Sequence, residues 1–464
     1  MINLYPIRKN CKEGYIDISG KVIIEPKYDY ASYFSHGIAK VGNKPITCPY
    51  TKCIDLTKAN LSSSNETKEL EPKNCPYSDF SRCHYVFPLW GFINDYGQYM
   101  SEPIFDFAPS DFSKDKKNNA AKANGKWGFL HFIPDSHFNI LICFSIAPTF
   151  EDAEPYISEG LACVKFDKKW GYVDYEKVQN RLVSIALFAH ETNIPVDGSE
   201  FFAIPPKYDD AYSFSEGLAR VMVNPNVDKS GELNIHHLID PRLQGGLWGF
   251  IDKTGAFVIK PQFDLAGNFS EGLAPVAIKR KMGYVDKTGK YAIEPRFDIA
   301  DAFSEGLARV KIDEKFGYID KNGAFAIKPV FDSATNFKDK FAIVRYNGKY
   351  NYIDREGRFL KKNNLWEKIC NFLFKGNRNA AVGFDYAEEF VEELALVAKN
   401  NKFGYIDKKG KYVIKPQFKE ARSFIGELAP VSINNTFNYI NKKGNIIWTC
   451  DEFPYTWSHR NSNN

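Results

Sequence analysis

The residues best suited to chemistry sit in one polar stretch. Cys48 and Cys53 are followed by Cys75, Cys83 and His84. Four or five such donors could hold a zinc ion through thiolate ligands. Neither spacing, Cys-x4-Cys nor Cys-x7-Cys, is the tight Cys-x2-Cys of zinc knuckles, so the metal signal is weak. Free thiols are the plainer reading, with disulfides a further alternative. A second candidate is His236-His237 beside Asp240. A histidine pair there could move protons near neutral pH, but a surface loop explains it as well. The sequence holds no G-x-S-x-G elbow, no P-loop, no H-E-x-x-H and no G-x-G-x-x-G. Those motifs position nucleophiles, phosphates or metals, so the sequence points to binding and away from catalysis, with no cofactor expected.

Three charged columns recur along the chain. The first is Asp17, Asp174, Asp252, Asp286, Asp320, Asp354 and Asp407. A calcium ladder would need acidic neighbours, yet Lys253, Lys287, Lys321, Arg355 and Lys408 follow directly. Turn capping is the simpler role, because Asp opens a type I turn and Gly supplies the positive φ that follows. The cations form the second column. A row of them could meet an anionic partner, or could be a solvated edge that discourages sheet pairing. Glu159, Glu216, Glu271 and Glu305 make a third column that could neutralise that row.

These columns are positioned by a repeat. One unit is written three times from Trp248 to Val344, and its starts at Trp248, Met282, Phe316 and Tyr350 are each 34 residues apart. A period in this range marks a stacked-repeat protein. In the unit from Trp248, Trp248-Gly-Phe-Ile251 and Ala256-Phe-Val-Ile259 flank Asp252-Lys-Thr-Gly255, the pattern of a β-hairpin. Pro261 ends the second strand, since it cannot donate to a ladder. Phe263, Ala266 and Phe269 are spaced by three, which suits a helical turn. Ser270-Glu-Gly272 is another turn, and Leu273 to Ile278 is a third strand. A three-stranded meander of this size cannot cover its own apolar face, so neighbouring copies must cover one another. The leading aromatics (Trp90, Trp127, Trp170, Trp248, Phe316, Phe403) are therefore expected between repeats.

The motif W-G-[FY]-[IV]-D-K-x-G…P-x-[FY]-D-x-A-x-x-F-S-E-G-L-A stands almost complete at Trp248–Ala274 and in altered form in eight or nine other places. It resembles the WG-repeat (KWG-repeat) family, found mostly in bacterial proteins. The resemblance implies a tandem β-repeat array and no common activity. The fold expected is all-β: about ten three-stranded antiparallel meander units in an open curved solenoid, with a closed propeller as the alternative, and one inserted helix over 365–374. The chain divides into decorated repeats over 1–247 (insertions 42–87, 178–200 and 224–245), regular repeats over 248–360, an insertion over 361–381, repeats over 382–448, and a polar tail over 449–464. Leu365, Trp366, Ile369, Phe372 and Leu373 form a helical stripe within 361–381.

Composition is globular, with 44% apolar, 15% aromatic and 25% charged residues and a net charge of +4. That balance is too mild to argue for nucleic acid. The start lacks the apolar core of a secretory signal, and no apolar run nears the ~20 residues of a membrane helix. A cytoplasmic protein with no membrane span is expected. The residue before the third-strand valine varies most between units: Lys40, Cys163, Arg220, Pro275, Arg309, Ile343, Leu396 and Pro430. Such variety predicts an outward-facing row. Insertions on repeat arrays also tend to gather on a binding face. The leading function is a scaffold for a protein partner, with Lys40, Arg220, Arg309, Trp366 and Phe372 as candidate contacts. A glycan- or envelope-binding module is the alternative, and an enzyme with its site in the insertions near His236 is a third reading.

Overall fold

The computed structural model describes residues 3–35, 37–43, 89–107, 120–134, 140–181, 198–223, 246–360, 383–450, 452 and 454. The described chain forms ten antiparallel sheets of three or four strands, arranged as a ten-bladed propeller. Their strands span 5–28 (blade 1), 30–105 (2), 120–150 (3), 152–208 (4), 210–263 (5), 265–297 (6), 299–331 (7), 333–353 (8), 386–418 (9) and 420–450 (10).

Blade 6 shows how the repeat makes a blade. Its strands are Leu265–Ala266, Leu273–Ile278, Lys281–Asp286 and Tyr291–Phe297, paired in that order. The first two come from one 34-residue unit and the last two from the next. The blade is thus out of phase with the written repeat, and every unit is shared between two neighbouring sheets. Phe263-Asp-Leu-Ala266 is not the helical turn expected from its spacing. The fourth strand of blade 5 passes through the single residue Asp264 into the short first strand of blade 6. Phe263, Ala266 and Phe269 all enter one buried cluster with Trp248 and Phe250. Their spacing of three reflects a strand that changes sheets.

The glycine after the leading aromatic has a steric cause. A Cβ on Gly283 would lie 2.5 Å from the Ile293 carbonyl oxygen and 2.7 Å from the Pro295 nitrogen. The fourth strand is bulged against the third here, with a register shift between Met282 and Tyr284. Only a residue without a side chain lets that bulge close. Blade 10 carries Asn438 at this position and no proline opposite. Asn438 instead pairs directly with Thr449, whose hydroxyl donates to Asn438 Oδ1 at 2.7 Å.

The core lies between blades as expected. Leu273, Tyr284, Ile293 and Phe297 of blade 6 pack with Ala300, Phe303, Ala308, Val310 and Ile319 of blade 7. The leading aromatics of the repeat join such clusters from their edges. A large ring fully buried in such a cluster, as Tyr284 and Phe297 are, contributes about 1.5–3 kcal/mol.

The array is closed, which corrects the expected open solenoid in favour of the propeller alternative. Tyr5, Ile7 and Ile16 of blade 1 share a buried cluster with Leu428, Phe437 and Tyr439 of blade 10. Tyr439 Oη donates to the Pro6 carbonyl at 2.9 Å, and Glu427 N donates to Tyr5 Oη at 3.0 Å. Once each blade is turned by a fixed angle from the last, the tenth reaches the first.

The expected helix over 365–374 lies outside the described residues. Within the 178–200 insertion, the chain leaves blade 4 as a helix over 175–181 and re-enters through the 3-10 turn Gly198–Phe201. No helix among the described residues is long and apolar enough to cross a membrane.

Candidate interaction surface

The meander gives the propeller two rims with different chemistry. Rim one carries the turns between first and second strands and between third and fourth strands. Rim two carries the turns between second and third strands and the links to the next blade.

On rim one the aspartate column caps turns. Asp252 Oδ1 accepts from Thr254 N at 2.9 Å, Thr254 Oγ1 at 2.6 Å and Ala256 N at 3.2 Å. The Thr254 hydroxyl and the turn amides hold the Asp252 carboxyl below its ordinary range. All three of these bonds fall on Oδ1, which is thus engaged within the turn.

The lysine and glutamate columns pair across blades. Lys253 reaches Glu159 at 3.0 Å, Lys287 reaches Glu216 at 3.2 Å, and Lys321 reaches Glu271 at 3.1 Å. Each glutamate also accepts from a main-chain amide of the following blade: Gly217 to Glu159, Gly272 to Glu216, Gly306 to Glu271. Burial raises the Glu271 pKa, but the Gly306 amide and Lys321 outweigh it and hold the carboxyl below its ordinary value. Glu159 behaves alike through burial, Gly217 and Lys253. Serines add a parallel row: Ser215 Oγ donates to Phe269 O at 2.7 Å, and Ser270 and Ser304 repeat this toward Phe303 and Phe337. The cations that looked like a basic rim are, over blades 4 to 7, one side of a self-neutralising rail.

The variable row before the third-strand valine is turned inward. Cys163, Ile343 and Leu396 are core residues, which corrects the expectation of an outward face. Arg220 stacks on the Tyr212 ring at 3.5 Å and donates to the Ala266 carbonyl and to Asn268 Oδ1. Arg309 bonds Asp301 and the Ala334 carbonyl. Lys40 lies 4.3 Å from the Trp90 ring, and burial lowers its pKa to about 8. Arg220 and Arg309 thus tie their blades to the next one through the Ala266 and Ala334 carbonyls, while Lys40 is engaged with Trp90 of its own blade.

Sequence reasoning missed Glu13. It occupies the place of the leading aromatic in blade 1, is fully buried, and accepts from Ala31 N at 2.5 Å. A carboxylate where other units carry Trp, Met or Phe was the available signal. Also missed was a shallow depression between blades 8 and 9, lined by Lys338, Phe341, Tyr352, Glu389 and Phe390 among others. There Lys338 stands where other units carry the stapling serine, and it pairs instead with Glu389 at 2.8 Å.

Rim two is plain except where it is decorated. Most of its turns are two-residue hairpins with both residues in the left-handed region, as at Lys279-Arg280 and Asn400-Asn401. In blade 2 the closing pair Asn43–Leu89 is joined by the 42–87 insertion, and in blade 5 the pair Val223–Leu247 is joined by the 224–245 insertion. Both therefore leave from rim two. The 178–200 insertion leaves from rim one, and 361–381 interrupts the fourth strand of blade 8 between Phe359 and Phe384. Insertions thus do not all share one face. Cys48, Cys53, Cys75, Cys83, His236, His237, Trp366 and Phe372 lie outside the described residues. Among the described residues no group of three or more His, Cys, Asp or Glu could hold a metal ion.

A family profile described as "WG containing repeat" matches residues 14–43, 90–127, 144–170, 202–224, 248–281, 282–316, 316–350, 382–403 and 403–437, more than half of the chain. No curated protein matches. Among solved structures, a eukaryotic initiation factor aligns at 8% identity and TM-score 0.33, covering 74% of this chain and 98% of that one. Kluyveromyces lactis Hsv2p aligns at 8% identity and TM-score 0.29, covering 62% and 91%. The C-terminal WD40 domain of Sif2 aligns at 8% identity and TM-score 0.26, covering 71% and 77%. These distant likenesses carry no functional weight.

Proposed function

The chain belongs to the family of proteins built from WG-containing repeats, and from that premise we propose that it is a non-catalytic scaffold that binds a protein partner through its insertions. The supporting observation is the division of labour between the rims. The repeated charges of rim one over blades 4 to 7 are already engaged with one another. The 42–87 and 224–245 insertions take the place of two-residue turns on rim two, where neither strand pair flanking them needs extra chain to close. Long loops held on a rigid repeat frame are a common form of recognition surface. We place the main contacts in the rim-two insertions 42–87 and 224–245, with Trp366 and Phe372 as further candidates. Lys40, Arg220 and Arg309 are secondary candidates, because their side chains are already engaged within the array.

The test replaces 44–88 and 224–246 with Asn-Asn, the turn of blade 9. The variant is expected to keep its β-sheet circular dichroism and melting temperature but to lose the proteins captured by the full chain. Capture unchanged by the replacement would overturn the proposal. A glycan-binding reading rests on exposed Tyr96 and Tyr156, 77% and 55% accessible. It ranks second, because the leading aromatics are committed to the seams between blades.

A further inference from the structure

Nine of the ten seams are crossed by the chain itself. The seam between blade 10 and blade 1 is not, and it is built differently. At ordinary seams a carboxylate just after the fourth strand caps the two-residue turn of the next blade. Glu151 accepts from Lys168 N at 3.1 Å, Asp264 from Lys279 N at 2.8 Å, and Asp385 from Asn400 N at 2.6 Å. Asp106 does the same for Gly125 N at 2.8 Å.

Glu452 repeats this arrangement across the closing seam. It lies two residues past Cys450, which pairs with Phe437 as Phe297 pairs with Met282. Its carboxylate accepts from Asn10 N at 2.7 Å and Cys11 N at 2.8 Å, the turn of blade 1. Arg8 stands 3.8 Å from it, and Cys450 Sγ donates to the Arg8 carbonyl at 2.9 Å. Glu452 therefore lies on blade 1 as the capping carboxylate of a link lies on its next blade.

The rim-one rail is absent at this seam. Where Lys287 and Lys321 stand in regular blades, blade 1 has Ile18, 53% exposed. Where Ser270-Glu271-Gly272 stands, blade 10 has Ile425-Gly426-Glu427. The closing seam thus has neither the ion pair nor the serine staple, and no covalent link. We infer that this seam is the built-in opening point of the ring and that Glu452 is its latch. Releasing Glu452 from the Asn10–Cys11 turn lets the cluster of Tyr5, Ile7, Leu428 and Phe437 part.

The test is native-state hydrogen exchange on the full chain, read by mass spectrometry. Peptides over 3–11 and 446–452 report the closing seam; peptides over 257–266 and 273–280 report the seam between blades 5 and 6, where Asp264 caps the Lys279 turn. Glu452→Gln is expected to speed exchange at the closing seam roughly tenfold, since charge-assisted bonds to two amides are weakened and local opening is set by such bonds. The matched change Asp264→Asn, at a seam the chain crosses, is expected to stay within roughly twofold, because the link itself resists separation. Equal effects of the two substitutions, or no effect of Glu452→Gln on 3–11, would overturn the inference.

Discussion

The seam between blades 6 and 7 and the seam between blades 10 and 1 do the same job with different means. At the first, the chain passes through Asp298, Ser270 bonds the Phe303 carbonyl, and Glu271 pairs with Lys321 and the Gly306 amide. At the second, those positions hold Ile425, Gly426 and Ile18, and the join rests on Tyr439, Tyr5, Glu452 and the shared apolar cluster. A tyrosine bond is common to both. Tyr284 Oη donates to the Asp301 carbonyl of the next blade at 2.7 Å, as Tyr439 Oη does to Pro6. The rail therefore reinforces joins that the chain already makes. At the closing seam, buried rings, the bonds of Tyr439 and Tyr5, and Glu452 bring two blades together without it.

The largest effect that sharpens this comparison comes from the glycine column. Gly283→Val would force a side chain into the Ile293–Pro295 backbone and should cost more than about 3 kcal/mol, read as a lower urea midpoint. Asn438→Ala in blade 10, where a side chain is already accommodated, should cost only about 1 kcal/mol for its bonds to Thr436 and Thr449. Equal costs would mean that the two blades close in the same way after all.

Next come the tyrosines. Tyr284→Phe and Tyr439→Phe each remove one hydroxyl bond to a carbonyl of the neighbouring blade, worth about 1 kcal/mol in thermal or urea unfolding. The difference should lie in the local response. Tyr439→Phe should speed exchange in peptides at the closing seam, and Tyr284→Phe should not do so at its own.

The smallest effect is that of the rail. Glu271→Gln should cost about 0.5–1 kcal/mol at neutral pH, as a part-exposed pair does. The folded-state pKa of Glu271 is held below its ordinary 4.5. Its contribution is thus present above pH 4.5 and is lost as the pH falls through the lowered value. The substitution should therefore narrow the gap from the parent protein as the pH is lowered below 4.5. A gap that widened in acid would remove the rail from the list of stabilising contacts.

Much of this was legible in the residues. Asp252-Lys-Thr-Gly255 states its own turn, and the capping bonds to Asp252 follow from the residue types. The aromatic column predicted apolar seams, and the opposite-charge columns predicted neutralisation without showing which blade met which. Phe263 to Phe269 misled because a strand that changes sheets breaks the two-residue alternation and imitates a helical spacing. The row from Lys40 to Pro430 misled for another reason. Variety was taken as exposure, whereas Cys163, Ile343 and Leu396 are buried, and Arg220 and Arg309 reach carbonyls of the next blade.

The sequence by itself determined the unit: its strands, its turns, its glycine and proline, and the need of each copy for a neighbour. These follow from local sterics and from apolar faces too small to cover themselves. Only the tertiary structure decided the phase of the blades, the closing of the array, and the role of Glu452 opposite Asn10 and Cys11. Those depend on the turn from one blade to the next summed over the whole array, and no residue or short motif encodes that sum.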